Sequence, residues 1–240
     1  MNILITSGGT KIPIDSVRSI TNMSKGTFGA KIATDCLNRG NHVTFLTHKS
    51  AKSPMQANLN FMYHDDSTWL YEKYKWAQSV FSLYTEVQYD TFWEYAGLLE
   101  DQVRKNPDAI LLACAASDYE VVDPVEGKVR TSAQMNIELK PLPKLISKIR
   151  NEWNYTGILV GFKLLVGASE EELIESARKS VVENGCDFVI ANDLNDIKNG
   201  NHKITIVKKY KEYKVPKEKA INTIINQVEI LDAYTIRNNR

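Results

Sequence analysis

Five short apolar runs, at residues 3–6, 43–46, 109–114, 158–162 and 188–191, constrain the possible folds of this chain more than any other feature. Each is strand-length, rich in branched or aromatic residues and free of strict alternation, as strands buried on both faces of a parallel sheet read. The segments between them carry helical spacing. Residues 30–37 run into Arg39-Gly40, a helix C-terminal signal. Residues 91–103 bring Phe92, Tyr95, Leu98, Leu99 and Val103 to near-helical spacing, and 142–149 and 170–183 follow the same logic. Strand and helix in alternation predict an α/β fold: a three-layer, Rossmann-like, doubly wound, mostly parallel sheet. Ligands are then expected beyond the carboxyl ends of the strands.

Two stretches break this rhythm. Residues 120–140 are polar, with short extended pieces at Lys128-Val129-Arg130 and Asn136-Ile137-Glu138-Leu139, and read as an antiparallel flap. Residues 203–208 and 213–215 read as a late hairpin around a lysine-rich turn. The aromatic-rich stretch 67–89 is read as helical. No internal repeat or low-complexity linker divides the chain, so residues 1–240 are expected to form a single domain.

The formal net charge of +1 supplies no global field toward nucleic acid or a membrane, so any anion site must be local. No apolar run has the length of a membrane span. Met1-Asn2-Ile3-Leu4-Ile5 lacks the regions of a signal peptide. Cys36, Cys114 and Cys186 are widely spaced in apolar surroundings, as reduced thiols of a cytoplasmic protein are. No pair of them has metal-ligand spacing, and no metal-ligating residue is assigned.

The first apolar run leads into Ser7-Gly8-Gly9-Thr10, where paired glycines permit a sharp turn and close approach of bare amides to an anion. A second glycine element, Ser24-Lys25-Gly26-Thr27-Phe28-Gly29, immediately precedes a helix and can aim its N-terminus at a phosphate. Taken alone, a structural turn explains Ser-Gly-Gly-Thr as well as binding does. The intervening residues 11–23 argue against an ordinary NAD site. They place Arg18 and Asn22 just ahead of the second element, and a helical turn there would put the two on one face. A surface arginine and a capping asparagine are the plain alternative.

Taken together, Ile-Thr-Ser-Gly-Gly-Thr, Pro-Ile-Asp-Ser-Val-Arg-Ser-Ile-Thr-Asn and Ser-Lys-Gly-Thr-Phe-Gly resemble the opening signature of phosphopantothenate–cysteine ligases. The resemblance continues through Ala115-Ala116-Ser117-Asp118-Tyr119, Lys128-Val129-Arg130, Gly161-Phe162-Lys163 and Ala191-Asn192-Asp193. No decarboxylase unit precedes Met1, so the free-standing form of the family is expected. The resemblance implies an enzyme of coenzyme A synthesis that joins 4′-phosphopantothenate to cysteine through an acyl-nucleotide, with CTP or ATP as co-substrate and Mg²⁺. It further implies a homodimer, paired near residues 136–139 and 203–215. By the same resemblance Asn22 acts on the acyl-nucleotide, Arg18 is its forked partner, and Lys128 meets the triphosphate. Gly8, Gly9, Thr10, Ser24, Gly26, Asp118, Phe162 and Asn192 are expected to hold the nucleotide, with Asp118 placed at a strand end where it can take ribose hydroxyls or metal.

The chain departs from the fused bacterial pattern in three places. Its flap keeps fewer lysines, and two nucleotide-touching lysines fall at Ser180 and Asn184, with Lys179 beside them. Phe162 is followed by Lys163-Leu164-Leu165, as in the eukaryotic branch. CTP is favoured over ATP. The rival readings are a Rossmann-type oxidoreductase or flavoprotein, which a yellow colour would reveal, and a non-catalytic nucleotide-binding regulator, which would release no pyrophosphate.

Overall fold

The computed structural model describes residues 1–55, 67–131, 135–199 and 203–238. Residues 132–134 of the expected flap lie outside that description. In chain order the elements are β1 (Asn2–Ser7), β2 (Lys11–Pro13), β3 (Ser19–Thr21), α1 (Thr27–Asn38), β4 (His42–His48), α2 (Ser67–Val80) and β5 (Tyr84–Tyr89). Then come α3 (Phe92–Arg104), β6 (Ala109–Leu112), β7 (Tyr119–Val121), β8 (Leu139–Pro141), α4 (Leu145–Asn151) and β9 (Ile158–Leu165). The chain continues with α5 (Glu170–Asn184), β10 (Phe188–Asp193), α6 (Leu194–Lys198), β11 (Ile204–Val207), β12 (Glu212–Val215) and α7 (Lys217–Asn238).

Eight strands form one sheet in the order β12-β11-β10-β9-β6-β1-β4-β5, and β2–β3 and β7–β8 are separate antiparallel pairs. The six strands from β10 to β5 run parallel, and β11 and β12 close one side as the expected hairpin. Successive strand residues point to opposite faces. Ile3, Ile5, Phe45, Leu111 and Val160 therefore pack with α1 and α7, whereas Leu4, Leu46, Ile110 and Leu159 pack with α3, α4 and α5. Both faces are covered, which is why these strands show no alternation. This is the three-layer, doubly wound sheet expected.

Helix ends follow local chemistry. Thr91 with Glu94 and Ser169 with Glu172 form capping boxes at the starts of α3 and α5. Beyond α1 the chain turns at Gly40, with φ +76°, as the Arg39-Gly40 signal predicts. Among the described residues no helix is long and apolar enough to cross a membrane.

Four expectations need correction. The stretch 67–89 is helical only to Val80; after a 3-10 turn at Phe81–Leu83 it becomes β5, which pairs with β4 in parallel register. The segment holding Arg18 and Asn22 is not a helical turn: β2 and β3 pair antiparallel, and Asp15 caps the turn between them through Val17 N and Arg18 N. Lys128-Val129-Arg130 has no strand partner among the described residues and is held by contacts to that turn. The strand at 109–114 ends at Leu112, because the Cys114 amide leaves the ladder to bond Thr6 Oγ1.

The two-sided core sets an expected order of mutational cost. Leu99, on the inner face of α3, is fully buried, so Leu99→Ala should lower unfolding free energy by about 2–5 kcal/mol. Ser169→Ala, which removes one cap, should cost about 1 kcal/mol. Urea denaturation checks both, and a larger loss for Ser169→Ala would contradict the packing.

Candidate active site

The carboxyl ends of β1 and β6 are stitched together. Ala115 N donates to Gly8 O at 2.8 Å, Thr10 Oγ1 donates to Ser117 Oγ at 3.0 Å, and Ser117 N donates to Thr10 Oγ1 at 2.9 Å. Thr10 is fully buried, so its hydroxyl serves this clasp. Asn22 lies over the seam. Its Nδ2 donates to Ala115 O at 2.9 Å and Ala116 O at 3.1 Å, which engages both amide hydrogens. The side chain is otherwise exposed, and this bonding orients the amide with Oδ1 as its remaining polar atom.

The glycines make room for this seam. A Cβ on Gly9 would stand 2.9 Å from Asn22 O. Gly8 has φ +89°, and a Cβ there would meet those of His48 and Ala51 at 2.9 Å. Ser7 Oγ donates to Gly26 O at 3.0 Å, which ties the second glycine element to the end of β1. Ser24 is half-buried, its amide donating to Asn22 O at 2.8 Å. The N-terminus of α1 thereby opens beside the turn.

Beyond β6 lies a second group. Phe28 at the start of α1 meets Phe162 of β9 edge-on, with ring centroids 6.1 Å apart. Asn192, near the end of β10, is buried, and its Oδ1 lacks a hydrogen-bond partner among the described residues. Such an orphaned acceptor costs stability unless something donates to it. Asp118 is exposed and pairs with Lys144. Asp193 instead caps α6: burial raises its pKa, but backbone hydrogen bonds led by Asn195 and Ala168 lower it overall.

Arg18 and Lys128 form a third group, joined through the flap. Arg18 bonds Asp15 at 2.9 Å and donates to Val129 O at 2.5 Å. Lys128 is exposed, with no hydrogen-bond or ion-pair partner among the described residues. Asn184 Nδ2 donates to Ser180 O and Oγ, and Lys179 pairs with Glu183 at 3.7 Å on the same helix.

Several positioning groups escaped the sequence reading. Tyr89, buried at the end of β5, donates to Ser7 O at 2.7 Å and lies 3.0 Å from Cys114 Sγ. Burial pushes the Cys114 thiol up to about 12, too high for a thiolate nucleophile at neutral pH. Asp90 follows Tyr89 and gathers Lys11 at 2.8 Å, Lys49 at 2.6 Å and His48 Nε2 at 2.9 Å. Because Ser50 N donates to His48 Nδ1, the proton of the neutral ring belongs on Nε2, facing Asp90. The clue lay in Tyr89-Asp90 at a strand's carboxyl end, hidden while that strand was read as helix.

Comparison with known proteins finds relatives along most of the chain. The family described as the DNA/pantothenate metabolism flavoprotein C-terminal domain matches residues 1–73 and 94–231. The coenzyme A biosynthesis bifunctional protein of Thermococcus kodakarensis is 30% identical over 216 residues, covering 90% of this chain and 47% of that protein. The phosphopantothenate–cysteine ligase of Homo sapiens is 26% identical over 231 residues, covering 80% of this chain and 72% of that one. The chain thus spans about half the length of the bifunctional relatives it matches. The crystal structure of the DNA/pantothenate metabolism flavoprotein from Streptococcus pneumoniae superposes with a TM-score of 0.78 at 29% identity, covering 96% of this chain and 99% of that one.

The Asp90 cluster has a definite pH signature. Burial alone would raise the carboxyl, but hydrogen bonds and charge from Lys11 and Lys49 bring it from 3.8 to about 2. A depressed carboxylate stabilises the fold above its unfolded pKa and loses that contribution as pH falls through the folded value. Wild type should therefore exceed Asp90→Asn in stability at pH 6, with the gap closing between about pH 4 and pH 2. Denaturation midpoints across that range check this, and a gap independent of pH would contradict it.

Proposed function

This chain belongs to the family of the DNA/pantothenate metabolism flavoprotein C-terminal domain, and on that premise we propose that it is a phosphopantothenate–cysteine ligase of coenzyme A synthesis. The observation that carries the reading is Asn22, bonded through both amide hydrogens to Ala115 O and Ala116 O above the Gly8-Gly9 turn. In the proposed reaction the phosphopantothenate carboxylate attacks the α-phosphorus of a nucleoside triphosphate and pyrophosphate leaves. The cysteine amine then attacks the acyl carbon of the resulting anhydride and displaces the nucleoside monophosphate.

Asn22 suits the second step. Its remaining Oδ1 is a neutral acceptor that can hold an attacking N–H without itself competing as a nucleophile. Arg18 offers the rest of its guanidinium to a carboxylate or phosphate, and Lys128 offers an exposed ammonium to the triphosphate. Gly8, Gly9, Ser24 and Gly26 shape the approach of backbone to phosphate, with Thr10 holding that turn from behind. Phe162 and Asn192 line the side proposed for the base, where the orphaned Oδ1 fits an exocyclic amine. Cytosine and adenine both carry that amine, and CTP is the favoured partner.

Asp118 is proposed for the ribose or for Mg²⁺. A single exposed carboxylate fits a cation that keeps most of its shell from phosphate and water. Bound Mg²⁺ would offset the triphosphate charge. The exposed apolar side chains Ile137 and Leu139 and the edge strand β12 support pairing of two copies. Sedimentation that gives only monomer at micromolar concentration would contradict the homodimer.

The activity is tested by pyrophosphate release that requires phosphopantothenate together with CTP or ATP. Initial rates at matched Mg²⁺ decide the nucleotide. Asn22→Asp removes both donors to Ala115 O and Ala116 O and sets a carboxylate against two carbonyls. Overall turnover should fall about 100–1000-fold, the scale of losing an organised polar contact in an active site. Unchanged amide formation would remove Asn22 from the mechanism. Lys128→Gln should raise the nucleotide KM by at least about tenfold, with less effect on cysteine, as loss of a charge-assisted contact predicts. Equal damage toward all substrates would argue instead for a disordered flap.

A further inference from the structure

Asp15 is nearly fully buried, yet it belongs to neither the core nor the carboxyl-end seam. Its Oδ1 accepts from Val17 N at 2.8 Å and Arg18 N at 2.7 Å. Its Oδ2 accepts from Arg18 Nε at 3.0 Å and from Val129 N, on the flap, at 3.1 Å. Arg18 completes the link by donating from Nη2 to Val129 O. The contacts on either side repeat the pattern: Val125 N donates to Ile14 O, Ser16 N to Gly127 O, and Gly127 N to Ser16 Oγ. Residues 14–18 and 125–129 are therefore zipped together, with a buried carboxylate at the middle.

We infer that Asp15 is a positioning residue that clamps the flap to the β2–β3 turn, so that Arg18 and Lys128 are presented as one unit. The chemistry is asymmetric. A carboxylate accepts all four of these N–H groups at once, whereas the asparagine amide offers one accepting oxygen and turns an N–H toward donors. Asp15→Asn thus keeps the volume but sets its Nδ2 against either the turn amides or Arg18 Nε and Val129 N. Lys128 sits next to Val129 and makes no bond of its own among the described residues, so its placement depends on that anchor. Asn22, bonded to Ala115 and Ala116, lies outside the clamp and stays in place.

The kinetic part of this inference rests on the ligase reading; the structural part does not. Limited trypsin digestion of the full chain reads the clamp directly through cleavage after Lys128 and Arg130. Asp15→Asn should speed those two cuts by about tenfold, the equivalent of one charge-assisted hydrogen bond, without accelerating cuts in the helices. Ser16→Ala, which removes only the Gly127 N contact at an exposed position, should speed the same cuts by a smaller factor and covers the case in which Asp15→Asn does not fold. In the pyrophosphate assay Asp15→Asn should raise the nucleotide KM more than the cysteine KM. Flap cleavage unchanged in both variants would overturn the clamp even if wild type proves to have no ligase activity. Faster flap cleavage in an active enzyme with an unaltered nucleotide KM would overturn the positioning role.

Discussion

The hydrogen-bonded seam between the end of β1 and the loop after β6 is the constraint on which the rest of the site depends. Parallel strands cannot join their carboxyl ends through a tight hairpin, so the loops leaving them must be fastened by side chains and irregular backbone bonds. Here Thr10 and Ser117, with Ala115 N and Gly8 O, fasten the two. The carbonyls of Ala115 and Ala116 then face Asn22 as a fixed pair of acceptors. Gly9 is compelled by the same closeness, since any side chain would press on Asn22 O.

Around that seam, each neighbouring element contributes a brace. Tyr89 reaches from the outermost strand to Ser7 O, and Asp90 ties Lys11, Lys49 and His48 to the same corner. Tyr89 and Asp90 lie within residues 74–93, the stretch between the two matched parts of the family. On the opposite side, the Asp15 zipper docks the flap. The central sheet supplies a rigid edge, and the chemistry proposed for it is carried by short segments bonded to that edge.

The sheet was legible because burial on both faces leaves a plain mark: five continuous apolar runs, all recovered as strands. β5 was not legible because it lies at the sheet edge beside an aromatic-rich helix, and only Tyr89 in it is buried. The β2–β3 hairpin was missed for a different reason. Its strands are three residues long, and Asp15 rather than a periodic pattern shapes the turn. At the site, motifs pointed to Asn22, Arg18, Gly9 and Phe162, and the structure sets them in three groups. The motifs did not separate Thr10, whose hydroxyl serves a buried clasp, from residues open to a ligand. That distinction depends on contacts more than one hundred positions apart in the chain.

The most direct measurement is mass spectrometry of the protein incubated with phosphopantothenate, nucleoside triphosphate and Mg²⁺ but without cysteine. The account predicts pyrophosphate together with a phosphopantothenoyl–nucleoside monophosphate adduct, which disappears in favour of phosphopantothenoylcysteine once cysteine is added. Release of inorganic phosphate and nucleoside diphosphate, or no adduct while wild type still forms the amide, would contradict the acyl-nucleotide route proposed for the Asn22 seam.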